Sequence, residues 1–192
     1  MKTRESGMPD EDMWASFYDA ACIVEKLECA GNGDAHVVEF GSGYGTFTLP
    51  VAARTSGMVH AIDIEPEHVE RLHHKARDAG LLNVRVINRD FAEAGTGLPA
   101  DSLDHAMAYN ILHMENPVQL LKEALRVLKP GATASIIHWK RDPSTPRGPS
   151  MDIRPSPEQC RGWGEYAGFR FLRHQDLSEC CSYHYGLLLQ KP

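Results

Sequence analysis

A chain of 192 residues with 42% hydrophobic content has room for one domain, 1–192, with a sizeable core. Its net charge of −6 and lack of any Lys/Arg-rich run exclude a surface that grips nucleic acid through phosphates. No apolar run is long enough to cross a bilayer, and the opening MKTRESGMPDEDMW lacks the apolar core of a leader, so the sequence predicts a cytoplasmic protein without membrane contact.

From 10 to 30, Met13, Trp14, Phe17, Ala20, Ala21, Val24 and Leu27 recur at three-and-four spacing, which predicts one helix ended by Gly31-Asn32-Gly33. This helix is expected to cover a sheet, with Phe17 or Tyr18 as a wall over the ligand pocket. Val37 to Phe40 is an apolar run broken by Glu39, and Gly41-Ser42-Gly43-Tyr44-Gly45-Thr46 follows. It reads as strand, glycine loop and helix. The glycines admit positive φ and let a ligand approach where a Cβ would collide, while the helix start aims free N–H groups at it. The spacing is E-x-G-x-G-x-G, not the G-x-G-x-x-G of dinucleotide sites. A carboxylate beside the loop opposes pyrophosphate and suits an ammonium or sulfonium, which points to a cationic nucleoside cofactor.

Thr46 is expected to cap a helix running to about Arg54, with Pro50 in its opening turn. Met58 to Asp63 is a short strand ending in an acid about 20 residues after the glycine loop, where nucleotide-binding units place the acceptor for ribose hydroxyls. Pro66 opens a helix that carries Val69, Leu72, Ala76 and Ala79 on one face and stops at Gly80. Asn83 to Ile87 is the next strand, followed by Asn88-Arg89-Asp90-Phe91. Leu103 to Tyr109 leads to Asn110 at a fourth strand tip, and Ile111-Leu112-His113 lies at the same edge. A helix from Pro117 to Leu128 is closed by Lys129-Pro130-Gly131, and Ala132 to Trp139 is the fifth strand. The segment 140–157 holds five prolines and three arginines, forms neither helix nor central strand, and leaves a strand end where it can roof the site. Ser156-Pro157 opens a last helix to Gly168. Two final strands, Phe169 to His174 and Ser182 to Gln190, are too close for a helical crossover and predict an antiparallel hairpin.

Five cysteines, Cys22, Cys29, Cys160, Cys180 and Cys181, are an odd number without zinc spacing, so reduced thiols and no metal are expected. Cys180, Cys181 and His184 form an incomplete ligand set.

Strands alternating with helices imply a mostly parallel sheet covered on both faces. At the glycine loop, Asp63, Asp90-Phe91 and the RVLKPGA turn, the chain resembles the class I S-adenosylmethionine-dependent methyltransferases, especially a small-molecule branch that includes quinone-biosynthesis C-methyltransferases. The resemblance runs from about residue 35 to the C-terminus. It implies a Rossmann-like three-layer α/β sandwich with a seven-stranded sheet of order 3-2-1-4-5-7-6, the last strand antiparallel. It implies S-adenosyl-L-methionine as cofactor, held by Glu39, Gly41, Ser42, Gly43 and Gly45 at the loop, and by Asp63 with Ile64 after the second strand. In that family the acid matched by Asp90 accepts from the adenine amine and the backbone at Phe91 contacts the ring; Asn110 completes the set.

The acceptor is expected to be a small molecule, with Phe17, Tyr18, His113, Trp139 and Arg147 around it. A methyl on a sulfonium is already activated, so a general base is required only for a hydroxyl or acidic carbon. His113 and His138 end strands on the ligand-binding edge and are the candidates, with ordinary packing as the alternative for each. Arg147 either clamps an acceptor carboxylate or phosphate or pairs with Asp142 or Asp152. A non-catalytic S-adenosylmethionine-binding module is a further reading, as is an NAD-dependent oxidoreductase, which Glu39 and the glycine spacing disfavour. Monomer and homodimer are both compatible with the sequence.

Overall fold

The computed structural model describes residues 8–142 and 144–192. The first seven residues, on which part of the leader reading rests, and Pro143 of the predicted roof loop lie outside the described residues.

Seven strands form one sheet: β1 (Val37–Phe40), β2 (Val59–Asp63), β3 (Val84–Asn88), β4 (Leu103–Tyr109), β5 (Leu128–Trp139), β6 (Arg170–Gln175) and β7 (His184–Gln190). Their order is β3-β2-β1-β4-β5-β7-β6, with β7 antiparallel to both neighbours and the remaining pairs parallel. This is the expected topology. Central parallel strands are covered on both faces and therefore read as apolar runs rather than alternations. In β1 all four residues are buried, and Glu39 is the one polar side chain among them.

The helices are α1 (Glu11–Ala15), α2 (Ala20–Lys26), α3 (Thr48–Ala52), α4 (Pro66–Asp78), α5 (Phe91–Ala94), α6 (Pro117–Val127) and α7 (Pro157–Ala167). On one face Leu120, Leu121, Ala124 and Val127 of α6 pack with Cys160 of α7 over Val38, Phe40 and Ile136. On the other, Ile23 and Val24 of α2 and Val51 of α3 pack over Val37, Val59 and Ile137. Each such buried aliphatic side chain contributes about 1.5 to 3 kcal/mol, which is why the sheet is stable only between its two helical layers. Proline opens α4, α6 and α7, and the latter adds a capping box between Ser156 and Gln159.

Four expectations are corrected. The single helix over 10–30 is two short helices, because Asp10 and Asp19 each cap a separate start, accepting from the backbone N–H of Met13 and Cys22. Thr46 is not a helix cap: α3 starts at Thr48 behind Phe47 without a side-chain cap and ends at Ala52. The fifth strand begins at Leu128, directly after α6, since Leu128 already pairs with Leu103. The expectation of reduced thiols fails for one pair: Cys22 and Cys180 form a disulfide, with Cα atoms 5.6 Å apart, joining α2 to the turn before β7. Cys29, Cys160 and Cys181 are free and buried. Among the described residues no group of His, Cys, Asp or Glu is arranged to hold a metal, and no helix is long and apolar enough to cross a membrane.

Candidate active site

The strand order reverses between β1 and β4, so the loops leaving their carboxyl ends part to opposite faces and open a crevice. A cavity of about 810 Å³ lies there. Its walls come from the ends of five strands: Glu39 to Phe47 after β1, Asp63 to Glu65 after β2, Asp90 to Glu93 after β3, Tyr109 to Asn116 after β4, and Trp139 with 147–149 at β5. Met8, Pro9 and Trp14 close one side.

The glycine loop turns on φ values of 75° at Gly41, 50° at Gly43 and 80° at Gly45, a region that only glycine adopts without strain. Close approach also matters. A Cβ on Gly45 would lie 2.3 Å from Leu72 Cδ1, so this glycine lets α4 pack, whereas one on Gly43 would lie 2.8 Å from Met8 Sδ at the cavity wall. The loop is held from outside by Asp63, whose Oδ2 accepts from the Gly43 N–H at 2.7 Å and whose Oδ1 accepts from the Glu65 N–H at 2.9 Å. Burial works to raise the Asp63 carboxyl, but His68 and these two N–H groups outweigh it and hold it below the usual range.

Glu39 behaves in the opposite way. It is 2% exposed, accepts a hydrogen bond from the Thr48 hydroxyl, and is pushed up to about 8, chiefly by burial and further by the Asp63 charge. Below that value it is neutral in the ligand-free protein, and a cation placed beside it would draw it into its charged form.

At the third strand end, Asp90 caps α5, with Oδ1 accepting from Ala92 and Glu93 N–H groups, and the Phe91 ring meets Phe40 edge-on at 5.3 Å. Asn110 has a left-handed backbone, φ 54°, and its Nδ2 donates to the Tyr18 hydroxyl at 2.9 Å; that hydroxyl is 2.8 Å from His184 Nε2. Asn110 Oδ1 and Ser42 Oγ are buried at the cavity without a hydrogen-bond partner.

The predicted substrate contacts divide. His113, Trp139 and Arg147 line the cavity, but Phe17 and Tyr18 do not. Phe17 packs edge-on against Trp139 at 5.2 Å, and Tyr18 stands behind Asn110, because the break between α1 and α2 turns both inward as a second layer. Trp14, one turn earlier, takes the wall position. His113 Nδ1 lies 3.3 Å from Nε2 of the fully buried His138, which does not line the cavity. Burial lowers both imidazoles, His138 further because of the neighbouring His113, so both are neutral at pH 7.

Three participants were not legible in the sequence. Thr48 carries no motif signal, and Met8 acts by lying over Gly43. Arg154, 5% exposed, fastens the roof by donating to the carbonyls of Lys140, Arg147 and Pro149 and to the Thr145 hydroxyl. Its partners are mainly backbone, so side-chain identities could not point to it.

Residues 37–131 match a family model described as a methyltransferase domain. The chain is 33% identical over 98 residues to aklanonic acid methyltransferase DauC of Streptomyces sp. (strain C5), covering 50% of this chain and 44% of that protein. It is 34% identical over 133 residues to the ubiquinone/menaquinone biosynthesis C-methyltransferase UbiE of Geotalea daltonii, covering 65% and 51%. The chain thus spans about half the length of these curated relatives. A solved SAM dependent methyltransferase from Aquifex aeolicus superposes with a TM-score of 0.81 at 24% identity, covering 95% of each chain, a likeness of fold.

Proposed function

We propose that the chain is a class I S-adenosylmethionine-dependent methyltransferase that transfers a methyl group from S-adenosylmethionine to a small-molecule acceptor, a reading supported by the methyltransferase-domain match over residues 37–131 and by the methyltransferases it is similar to. The observation that carries this reading is the grip of Asp63 on the Gly43 N–H beside a buried Glu39, which builds a loop suited to a ribose and a cation in one cavity. The residues fit the cofactor. A Cβ on Gly41 would collide with Ile111 and one on Gly43 with Met8, both in the cavity wall, so these glycines preserve its shape, and Ser42 Oγ and Asn110 Oδ1 are buried polar atoms that a ligand would satisfy.

Bound there, S-adenosylmethionine would supply a methyl group already activated on a sulfonium. Glu39, charged in the presence of the cation, offsets it; Asp63 takes the ribose hydroxyls with lone pairs not used by Gly43 and Glu65. Asp90 and the backbone at Phe91 take the adenine, and Ile64 lines the cavity between the two. Trp14, Trp139 and Ile111 exclude water from the acceptor side. His113 is the general base for an acceptor that must lose a proton. In the tautomer this role requires, Nδ1–H of His113 would donate to His138 Nε2, 3.3 Å away, and Nε2 would carry the lone pair; burial keeps the ring neutral at pH 7. His138 is a positioning residue that selects this tautomer.

Residues 1–192 form a single domain in this reading, acting as a monomer or homodimer in the cytoplasm. Cytosolic thiols are kept reduced, so in that compartment the Cys22–Cys180 bond would form under oxidising conditions and open under reducing ones.

Calorimetry with S-adenosylmethionine and S-adenosylhomocysteine tests the proposal. Saturable binding is expected, with about 2.7 kcal/mol of added stability at a hundredfold excess over the dissociation constant; absence of binding at millimolar ligand refutes it. Nitrogen-15 NMR of the imidazoles tests the base. His113 should be neutral at pH 7 with Nε2 unprotonated, and an Nε2–H tautomer would remove it from the role.

A further inference from the structure

The cavity is electrically lopsided. Asp63, Glu65, Asp90 and Glu93 stand at the cofactor end, Glu115 lines the cavity two residues after His113, and Glu39 adds a charge only when a cation lies beside it. The roof over the other end carries Lys140, Arg141, Arg147 and Arg154 together with Asp142 and Asp152. Arg154 is the buried member. Nε donates to Pro149 O at 3.1 Å, Nη2 to Pro149 O at 2.8 Å and Arg147 O at 3.2 Å, and Nη1 to Lys140 O at 2.8 Å and Thr145 Oγ1 at 2.6 Å. All five of its bonds go to neutral acceptors. Among the described residues no carboxylate forms an ion pair with Arg154, nor with Arg141, which donates to Arg154 O.

A guanidinium keeps its charge at any physiological pH. Carbonyl dipoles solvate it without neutralising it, so a full positive charge remains inside the roof, and burial weakens the screening that water would give it. The charge sits one residue from the cavity. A Cβ on Gly148 would lie 2.7 Å from Arg154 Nη2 and 2.9 Å from Trp139 Cγ, so the Gly148 backbone is pressed between the guanidinium and the indole that lines the acceptor side.

Resting on the methyltransferase reading, we propose that the acceptor is an organic carboxylate whose anionic end docks under the roof at Trp139, Arg147 and Pro149, facing the positive charge organised by Arg154. The acids at the far end repel that group and the roof attracts it, so the field orients the acceptor with its opposite end toward His113 and the cofactor. A phosphate dianion would double both the attraction to the roof and the repulsion from the acids, and its larger desolvation cost favours a monoanion.

The test uses the full chain saturated with S-adenosylhomocysteine and a matched probe pair, 2-naphthoate and 2-naphthamide, titrated by ligand-observed NMR, with naphthyl phosphate as a third arm. The carboxylate should bind about tenfold tighter than the amide and tighter than the phosphate. Arg141→Gln, at an exposed position outside the cavity lining, should cut the carboxylate-to-amide ratio by about threefold while leaving S-adenosylhomocysteine affinity unchanged, and Arg147→Gln should cut that ratio by about threefold as well. Equal binding of acid and amide, no saturable binding of the acid, preference for the phosphate, or a ratio insensitive to both substitutions would each overturn the proposal. Loss of S-adenosylhomocysteine binding by the wild type would strike the methyltransferase reading instead.

Discussion

Replacing Glu39 by Gln should make the ligand-free protein more stable and the cofactor complex weaker. The folded-state value is about 8 against an ordinary value of 4.5. A carboxyl with a raised folded pKa holds its proton in the folded chain while the unfolded chain releases it, so its stability contribution is complete below pH 4.5 and is lost as pH rises toward 8. At pH 7 the loss spans about 2.5 units at about 1.4 kcal/mol each, or about 3 kcal/mol. Gln keeps the shape and the acceptor for the Thr48 hydroxyl but cannot ionise in either state. Urea melts should therefore show wild type and Glu39→Gln alike near pH 4.5 and separated by about 3 kcal/mol in favour of the variant at pH 7. Cofactor binding should move the other way. If the cation needs ionised Glu39, the competent fraction rises from about 0.01 at pH 6 to about 0.5 at pH 8, so wild-type affinity should improve about 50-fold relative to the variant over that interval. Parallel pH dependence of stability in the two proteins would mean that Glu39 is already charged in the ligand-free state, and the argument from burial would fail.

Gly43→Ala should keep the fold and lose most cofactor affinity, since φ is 50° and the added Cβ meets Met8 at the cavity wall; calorimetry showing normal binding would remove the loop from the site. Asp63→Ala should weaken cofactor binding more than Asp90→Ala, because it also frees the Gly43 and Glu65 N–H groups, at about 1.5 to 3 kcal/mol per charged hydrogen bond. An inosine analogue of the cofactor should lose affinity in wild type and in Asp63→Ala but little further in Asp90→Ala; an unchanged penalty in Asp90→Ala would contradict the adenine assignment. Reduction of Cys22–Cys180, separated by 158 residues, should lower stability by about 3 to 5 kcal/mol, read by melts with and without reductant, and alkylation of the native oxidised protein should spare all five cysteines.

The strands and helices along the chain, the glycine loop and Asp63 were visible in the sequence because each depends on local grammar, namely apolar runs, turn residues and a fixed spacing between them, whereas the order of the strands in the sheet and the role of the Asp90-Phe91 turn came from the family resemblance. The final hairpin followed from the short connection between the last two strands, which leaves no room for a helical crossover. The break at residues 16–19 was less visible, because Asp19 sits within a spacing that a continuous helix would also satisfy, and the competition between the two was settled by where its side chain capped a new start.

What the chain could not declare by itself were properties that arise when distant segments meet. Cys22 and Cys180 are paired by the docking of α2 on the turn before β7, and no spacing rule joins residues so far apart. Glu39 reads as a charge beside a glycine loop, yet the closing of helices over both faces of β1 removes water from it and makes it neutral until a cation arrives. Arg154 reads as one arginine among several in a proline-rich loop, and only the fold brings the carbonyls of that loop around its guanidinium. Sequence pattern determines which elements form because hydrogen bonding and burial period act over a few residues. Ionisation, disulfide partners and the field in the cavity depend on the dielectric and on distances between segments, and those exist only once the chain has folded.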